Sequence, residues 1–200
     1  MKILTHQLIS TGLLSVLLFS ACKSVDNCSQ EDKLLYTKMG NSIVKQTFDT
    51  LGHALQTAIA EMGVVKAVFY CQVNAYPLTA TYASDAVTIR RTSLKYRNPA
   101  NKPDTTEERI LNLYASLKEQ GIANDSLKAI VEKSKAGMIH YYKPIILQPM
   151  CASCHGKKSD NGQLALWKTI DSLYPSDMAN GYQPGDLRGI WHIEFKKKSG

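Results

Sequence analysis

The stretch VTIRRTSL, residues 87–94, carries β-branched residues at alternate positions, a pattern that is typical of a β-strand. The residues before it follow a different period. From Lys33 onwards, apolar residues recur mostly at steps of three or four, which predicts long helices that end near Tyr82–Asp85. Gly63 interrupts this pattern, and we expect a kink or a break there. The chain therefore changes from helix to strand at about residue 87.

The residues after this strand begin with a loop, RNPANKP, and a helix. Thr105 and Glu108 have the spacing of a capping box, which predicts a helix that starts there and runs to about Gln120. Gly121 supplies the stop signal for this helix.

The remaining elements are two strands, a short helix and a last strand. The turn SKAG joins predicted strands at residues 129–133 and 138–147. A helical face follows, and the stretch LRGIWHIEF, residues 187–195, predicts the final strand. The residues of that face are Leu164, Trp167, Ile170 and Leu173. Strands that are neighbours in sequence, or are separated by one helix, favour an antiparallel sheet. We therefore expect an α+β fold in which a PAS-like antiparallel sheet is flanked by helices, with long helices at the N-terminus.

The N-terminus has the features of a bacterial export signal. Lys2 precedes the apolar run LLSVLLF, residues 13–19, which is too short to cross a bilayer. The following FSAC resembles a lipobox, which implies cleavage before Cys22 and lipidation of its sulfur; an ordinary signal peptide is the alternative. We expect a signal peptide at 1–21, a lipid-anchored tether at 22–32 and one domain at 33–200. No second hydrophobic segment is evident, so the mature chain is expected to be anchored without spanning.

Composition and charge restrict the classes of binding partner that the protein is expected to have. The 200 residues are 44% hydrophobic and 20% charged, which is typical of an ordinary globular domain. The net charge is +7, but the basic residues are scattered. An exported lipoprotein has little access to nucleic acid, which we exclude as a partner, whereas attraction to an anionic membrane surface stays a hypothesis. We expect the protein in the cell envelope, facing the periplasm.

The stretch PMCASCHGKK, residues 149–158, contains the spacing C-x-x-C-H. Cys151 and Cys154 are placed to add to the two vinyl groups of a haem, and His155 is placed to bind its iron. A c-type haem is attached outside the cytoplasm, so the export signal agrees with this interpretation. The sequence therefore predicts one covalently bound haem c per chain.

Other uses of these cysteines are weighed against haem. A zinc site needs two more ligands, and no second paired motif exists. A redox dithiol is expected at a helix start after a strand, whereas a loop is expected here, and a disulfide between Cys151 and Cys154 is rare at this spacing. Cys28, in the predicted tether, and Cys71, in a predicted helix, are the remaining pair that an oxidising compartment could join, but we do not expect them to be joined.

Four blocks of sequence resemble a known family. The chain is similar to single-haem c-type proteins with a PAS-like fold, which occur as stand-alone exported proteins and as sensor modules of bacterial signalling kinases. The similarity spans about residues 35–195. The blocks are AVFYCQVNAYPLTA at 67–80, RRTSLKYRNPANKPD at 90–104, YYKPIILQPMCASCHG at 141–156 and YPSDMANGYQPGDLRG at 174–189.

The resemblance implies the two axial ligands of the iron, which are His155 on the proximal side and the thiolate of Cys71 on the distal side. The spacing alone leaves Cys71 as either a ligand or a small buried hydrophobe on the helical stripe that it shares with Val64, Val68, Ala75 and Leu78. The other candidate distal ligands are His53, His140, Met150 and His192.

Arg90 and Arg91 are candidate partners for the haem propionates, because arginine binds carboxylates with two parallel hydrogen bonds. Neighbouring strand residues point to opposite faces, so we expect at most one of them to make this contact. A solvated strand face, or an ion pair with Asp104 or Asp186, is the alternative for either arginine.

Three functions are compared. The resemblance implies a sensor module for redox state or a diatomic gas, which would need a separate signalling partner. The alternative is a low-potential monohaem electron-transfer cytochrome with a redox partner, because a thiolate ligand stabilises ferric iron. A haem enzyme is not expected, because such chemistry needs an open sixth position and a distal acid–base group.

Overall fold

The computed structural model describes residues 28–158 and 163–196. The predicted signal peptide, Cys22 and most of the predicted tether lie outside the described residues. The first element is helix α1 (Gln30–Thr79). Ser29 is its N-cap, and the Ser29 hydroxyl accepts a hydrogen bond from the backbone N–H of Asp32 at 3.0 Å.

Helix α1 is broken at Gly63, as the sequence predicts. Gly63 has φ 79° and ψ 160°, a conformation that is open essentially to glycine alone. We call residues 30–62 the first arm of α1 and residues 64–79 its second arm. The 3₁₀ turn Ala80–Tyr82 ends the helical region close to the predicted boundary.

Four strands form one antiparallel sheet in the order β1-β4-β3-β2. They are β1 (Val87–Thr92), β2 (Ile130–Lys133), β3 (Ile139–Ile146) and β4 (Leu187–Phe195). Strand β4 is central and almost wholly buried, which shows that both faces of the sheet are covered. The predicted α+β architecture is confirmed; the narrower PAS-like assignment stays a prediction.

The first arm of α1 covers one face of the sheet. Val44 packs on a cluster that contains Tyr141, Trp191 and Ile193. The contact is close at Gly40, where any side chain would overlap the ring of Tyr141. This approach requires glycine, so Gly40 sets how near α1 lies to the sheet.

Helix α2 (Thr105–Glu119) covers the opposite face through Ile110, Leu111 and Tyr114. The predicted start at Thr105 is confirmed, but the predicted capping box is displaced by one residue. Asp104 is the N-cap, and the capping box joins Asp104 and Glu107 instead of Thr105 and Glu108. Glu107 is wholly buried against the sheet, and this packing decides between two pairs that have the same spacing.

Two shorter helices lie beside the second arm of α1. The cysteine motif, predicted as a loop, forms the 3₁₀ turn Pro149–Cys151 and one helical turn, α3 (Ala152–His155). Helix α4 (Leu164–Leu173) packs Leu166, Trp167 and Ile170 on Val68. The predicted face of α4 is therefore confirmed at Trp167 and Ile170.

Cys28 corrects the predicted tether. The residue is 8% exposed and belongs to the cluster beneath the first arm of α1, so ordered packing begins before residue 33. Cys28 and Cys71 are not joined to each other. The residues around Cys28 are polar, which is typical of a flexible spacer. Packing against residues that are distant in the chain leaves no local sequence pattern, so the burial of Cys28 could not be predicted.

Among the described residues, α1 with its following turn is the one helix long and apolar enough to cross a membrane. A helix that packs on a sheet, or lines an apolar cavity, meets the same criterion of length and composition. The expectation that the mature chain does not span a membrane stays a prediction.

Candidate functional site

A cavity of about 710 Å³ lies between α1, the sheet and the cysteine motif. We call it the central cavity. Its volume is within the range of small-molecule and cofactor sites. It brings together the four residues predicted to hold haem, which are Cys71, Cys151, Cys154 and His155.

His155 is held with one ring nitrogen available. Its Nδ1 lies 2.8 Å from the carbonyl oxygen of Ala179. A carbonyl only accepts, so Nδ1 must donate its proton, and Nε2 keeps a lone pair. Burial lowers the pKa of His155 well below its usual range, and the nearby Arg188 and Arg97 lower it further. A neutral imidazole that donates its second N–H to a carbonyl is the usual arrangement of a metal-binding histidine.

The loop before β4 fixes the backbone of the motif. The N–H of Gly181 donates to the carbonyl of Gly156 at 2.8 Å, and the N–H of Tyr182 donates to that of His155 at 3.0 Å. A side chain at Gly156 would overlap the carbonyl oxygen of Ala152. The residue after the histidine must therefore be small for this turn to close.

Arg97 and Asp177 tie the same loop to the motif, and sequence spacing did not identify them. The Arg97 guanidinium donates two hydrogen bonds of 3.2 Å to the Asp177 carboxylate. Its Nη2 also donates to the carbonyls of Cys154 at 2.6 Å and Ala179 at 3.3 Å. Both residues do lie within stretches that resemble the single-haem family, Arg97 in residues 90–104 and Asp177 in residues 174–189.

Cys71 faces the central cavity from the second arm of α1. The stripe predicted from the sequence is confirmed for Val64, Val68 and Ala75, which line the same cavity, but not for Leu78, which does not. Cys71 itself is only partly buried, because this side of the helix borders the cavity instead of packed protein. Burial raises the pKa of the Cys71 thiol, the neighbouring Cys154 raises it further, and Arg91 opposes the shift. The thiol is therefore neutral unless a cation binds its sulfur.

Burial also raises the pKa of the Cys151 and Cys154 thiols. These cysteines are not the activated thiolates of a typical redox dithiol, whose pKa is lowered. Zinc is not supported either, because the described residues that could hold a metal ion group elsewhere, around His140.

The two candidate arginines of β1 have different surroundings. Arg90 turns to the α2 face, where its Nε lies 3.3 Å from Glu107 Oε1 and its Nη2 donates to the carbonyl of Lys102. The ion-pair alternative therefore holds for Arg90, but with Glu107 instead of Asp104 or Asp186. Arg90 is also one of the residues that line the central cavity.

Arg91 faces the central cavity from inside the fold. Its guanidinium lies over the ring of Trp191, 5.7 Å from the centroid, and Nη2 donates to the carbonyl of Ala75 at 3.3 Å. Burial, together with the charge of nearby Arg188, lowers the pKa of Arg91 to about 10, so the group stays charged at neutral pH. Its buried Nε has no hydrogen-bond partner within the described protein. An unpaired cationic donor beside a cavity suits an acidic group bound there.

Arg188 is a third cavity arginine, and no sequence pattern pointed to it. Its guanidinium lies over the ring of Tyr182, 5.3 Å from the centroid, and Nη1 donates to the carbonyl of Lys95. Arg188 lines the central cavity together with Arg91 and Arg97.

Most of the other candidate distal ligands lie away from the central cavity. His140 and His192 lie on the α2 face of the sheet and border a different cavity. His53 does not border the central cavity, whereas Met150 does, beside the motif, with its sulfur 3.6 Å from Gln56 Nε2. Of the predicted alternatives, only Met150 borders the central cavity.

The residues of the central cavity fit the predicted cofactor. One wall is apolar, two thiols and a histidine with an available Nε2 share one end, and Arg91 presents an unpaired donor. Haem has an apolar ring, two vinyl groups that can react with thiols, and two carboxylates that bind arginine.

Comparisons with known proteins identify the fold and the family. The crystal structure of the cyanobacterial heme-protein Tll0287 has a TM-score of 0.57 with this chain at 23% identity, and the match covers 84% of this chain and 98% of that one. At this identity the likeness shows the fold. None of the curated proteins matches the chain. The model of the family described as Tll0287-like matches residues 22–195, nearly the whole chain. The chain therefore belongs to the Tll0287-like family.

Proposed function

We propose that the chain is a c-type haem protein that binds one haem through thioether bonds to Cys151 and Cys154. The observation that carries this proposal is the central cavity, which gathers both thiols, His155 and Cys71 around one space of about 710 Å³. The solved relative Tll0287 is a heme-protein, which supports the same cofactor here.

His155 Nε2 and Cys71 Sγ are the proposed axial ligands. The Ala179 carbonyl holds His155 in the tautomer that leaves Nε2 available. Cys71 borders the same cavity, and the positive charge of Arg91 favours its thiolate. A bound ferric ion would supply the remaining stabilisation that a partly buried thiolate needs.

Arg91 and Arg188 are the proposed partners of the cofactor's carboxylates. Both line the central cavity, and Arg91 has a buried donor without a protein partner. Arg97 has a different role in this proposal, because Asp177 already pairs with it and it holds the backbone of the motif.

The proposed role is that of a sensor for redox state or a diatomic gas, read by a separate partner protein. A distal thiolate supports this role, because its release on reduction would open a binding position for a gas. Electron transfer is the second candidate. The 41% exposure of Met150, next to the motif, favours it by placing solvent near the attachment site.

Replacement of Cys71 tests the distal ligand. Cys71→Ala should leave the haem attached, remove the ferric thiolate absorption, raise the reduction potential and increase carbon monoxide binding. Val73→Ala is a matched control on the same helix, because Val73 is 68% exposed. An unchanged spectrum and potential in Cys71→Ala would refute thiolate ligation and leave Met150 as the next candidate.

We also propose that a lipid on Cys22 anchors the mature protein to the envelope membrane. The lipobox-like FSAC at 19–22 supports this. Cys22→Ser should block processing or release the chain from the membrane fraction, as judged by fractionation and immunoblotting. Equal processing and equal membrane retention of the variant would contradict a lipid on Cys22.

A further inference from the structure

A second cavity, of about 180 Å³, lies on the α2 face of the sheet. His140 on β3 and His192 and Glu194 on β4 border it, together with Asp104 and Glu132. The residues of the proposed haem site do not border this cavity, so it is a separate site.

Three donor atoms converge there. His140 Nδ1 lies 3.0 Å from His192 Nε2, and Glu194 Oε1 lies 3.8 Å from the first and 3.9 Å from the second. A tetrahedral zinc ion with bonds near 2.05 Å separates its ligand atoms by about 3.3 Å. The three observed separations would need to change by about 0.3 to 0.6 Å to surround such an ion.

Neighbouring groups orient these donors as they do in metal sites. His192 Nδ1 donates to Glu107 Oε1 at 2.7 Å, which leaves Nε2 with its lone pair. Glu107 is wholly buried and is held by the N–H of Asp104. The ring of Tyr142 stacks on that of His192 at 4.5 Å between centroids. A carboxylate on the outer nitrogen of a ligating histidine fixes its tautomer and increases its basicity.

We propose that His140, His192 and Glu194 bind a divalent transition metal ion, with zinc as the preferred ion and the adjoining cavity leaving a fourth position for water. Two imidazoles and one carboxylate form a donor set that suits zinc, whereas magnesium and calcium require mainly oxygen ligands. Asp104 and Glu132 also border this cavity, together with Lys133, and Arg109 pairs with Glu132, so the two histidines and Glu194 carry the proposal.

A hydrogen bond between the two histidines is the simpler alternative. In it, His140 Nδ1–H donates to His192 Nε2. Metal binding requires His140 to change tautomer, so that the proton leaves Nδ1 and Nε2 carries one instead, with no change of net protonation or oxidation state. Cross-strand pairing of His140 with Glu194 brings the carboxylate close to both rings in either case, so the measurement of bound zinc distinguishes the two.

Equilibrium dialysis against zinc, with the bound metal counted by elemental mass spectrometry, tests the site on the full chain without a histidine tag. Wild-type protein should bind one zinc ion more than Glu194→Gln or His140→Asn, with at least a tenfold loss of affinity in each variant. His53→Asn is the control outside the cluster and should bind as wild type does. Magnesium in place of zinc should show no such difference.

Thermal unfolding provides an independent measurement. Zinc should raise the melting temperature of the wild type and of His53→Asn, but not that of Glu194→Gln, a nearly isosteric change at a partly exposed residue. Equal zinc content and equal thermal shifts in wild type, Glu194→Gln and His140→Asn would overturn the proposal. None of these variants alters a residue of the proposed haem site, so haem content reports separately on that function.

Discussion

At the scale of single residues, some polar groups around the motif pair with other protein groups, whereas others have no protein partner and border the cavity. Asp177 is 1% exposed in its side chain and pairs with Arg97, which is 13% exposed. Arg91, by contrast, keeps an unpaired Nε beside the central cavity. This division yields one prediction about stability and one about redox chemistry.

The pair of Arg97 and Asp177 should contribute strongly to stability. Asp177→Asn leaves the buried Arg97 charge without its partner, and we expect the free energy of unfolding to fall by about 3 kcal/mol. Asp171→Asn breaks the exposed pair with Lys158 and should cost below about 1 kcal/mol. Urea unfolding of both variants at equal haem content makes the comparison. Equal losses would show that Arg97 and Asp177 behave as a surface pair.

The two arginines of β1 should differ in their effect on the haem. Arg91→Gln removes a buried positive charge beside the cavity, so ferric iron is favoured and the reduction potential should fall. Arg90→Gln is the matched control, because Arg90 pairs with Glu107 on the other face. Redox titration of both variants measures the difference. A larger shift in Arg90→Gln would reverse the assignment of the propionate partner.

At the scale of elements, local patterns were sufficient where one element decides its own structure. The kink at Gly63, the strand beginning at Val87 and the end of the helical region near Tyr82 all follow from period and from glycine. Patterns failed where distant packing decides. The position of Cys28 in the core depends on a cluster whose other members include residues of all four strands, and the choice of Glu107 as the capping residue depends on its burial.

The site shows the same division. The C-x-x-C-H spacing and the apolar stripe of Cys71 identify residues that do border the central cavity. Arg97, Asp177 and Arg188 could not be assigned from spacing, because their roles depend on how two loops meet around the motif. The quoted blocks marked these stretches, but gave no roles to individual residues.

The kink of α1 should be sensitive to its glycine. Gly63→Ala places a Cβ on a conformation that only glycine tolerates, and should cost about 1–3 kcal/mol or straighten the helix. Gly52→Ala lies in the first arm beside the central cavity and should stabilise the haem-free protein by about 0.5–1 kcal/mol, because a Cβ there meets no protein atom. Chemical unfolding gives both values. A stabilising Gly63→Ala would show that the kink is not required.

At the scale of the whole molecule, buried tyrosines should limit stability at high pH. Burial raises the pKa of Tyr114 and of Tyr141 well above the usual range. The unfolded chain then loses these protons first, near pH 10, so it binds fewer protons than the folded chain above that pH. Their contribution is complete below about pH 10 and is lost as pH rises towards the folded pKa values.

The free energy of unfolding should therefore decrease as pH rises above about 10. Tyr114→Phe should make this decrease less steep than in the wild type. Urea unfolding at a series of pH values measures the slopes. Identical slopes in Tyr114→Phe and wild type would contradict titration of Tyr114 on unfolding.

The proposed function rests on covalent haem in the central cavity, and the mass of one peptide tests this most directly. The protein is produced in a host with haem-attachment machinery, treated with an alkylating reagent, and digested. The peptide containing residues 151–155 should carry the mass of one haem and no alkyl group, because both sulfurs are in thioether bonds. A peptide that lacks the mass of haem and carries an alkyl group on both Cys151 and Cys154 would contradict covalent attachment.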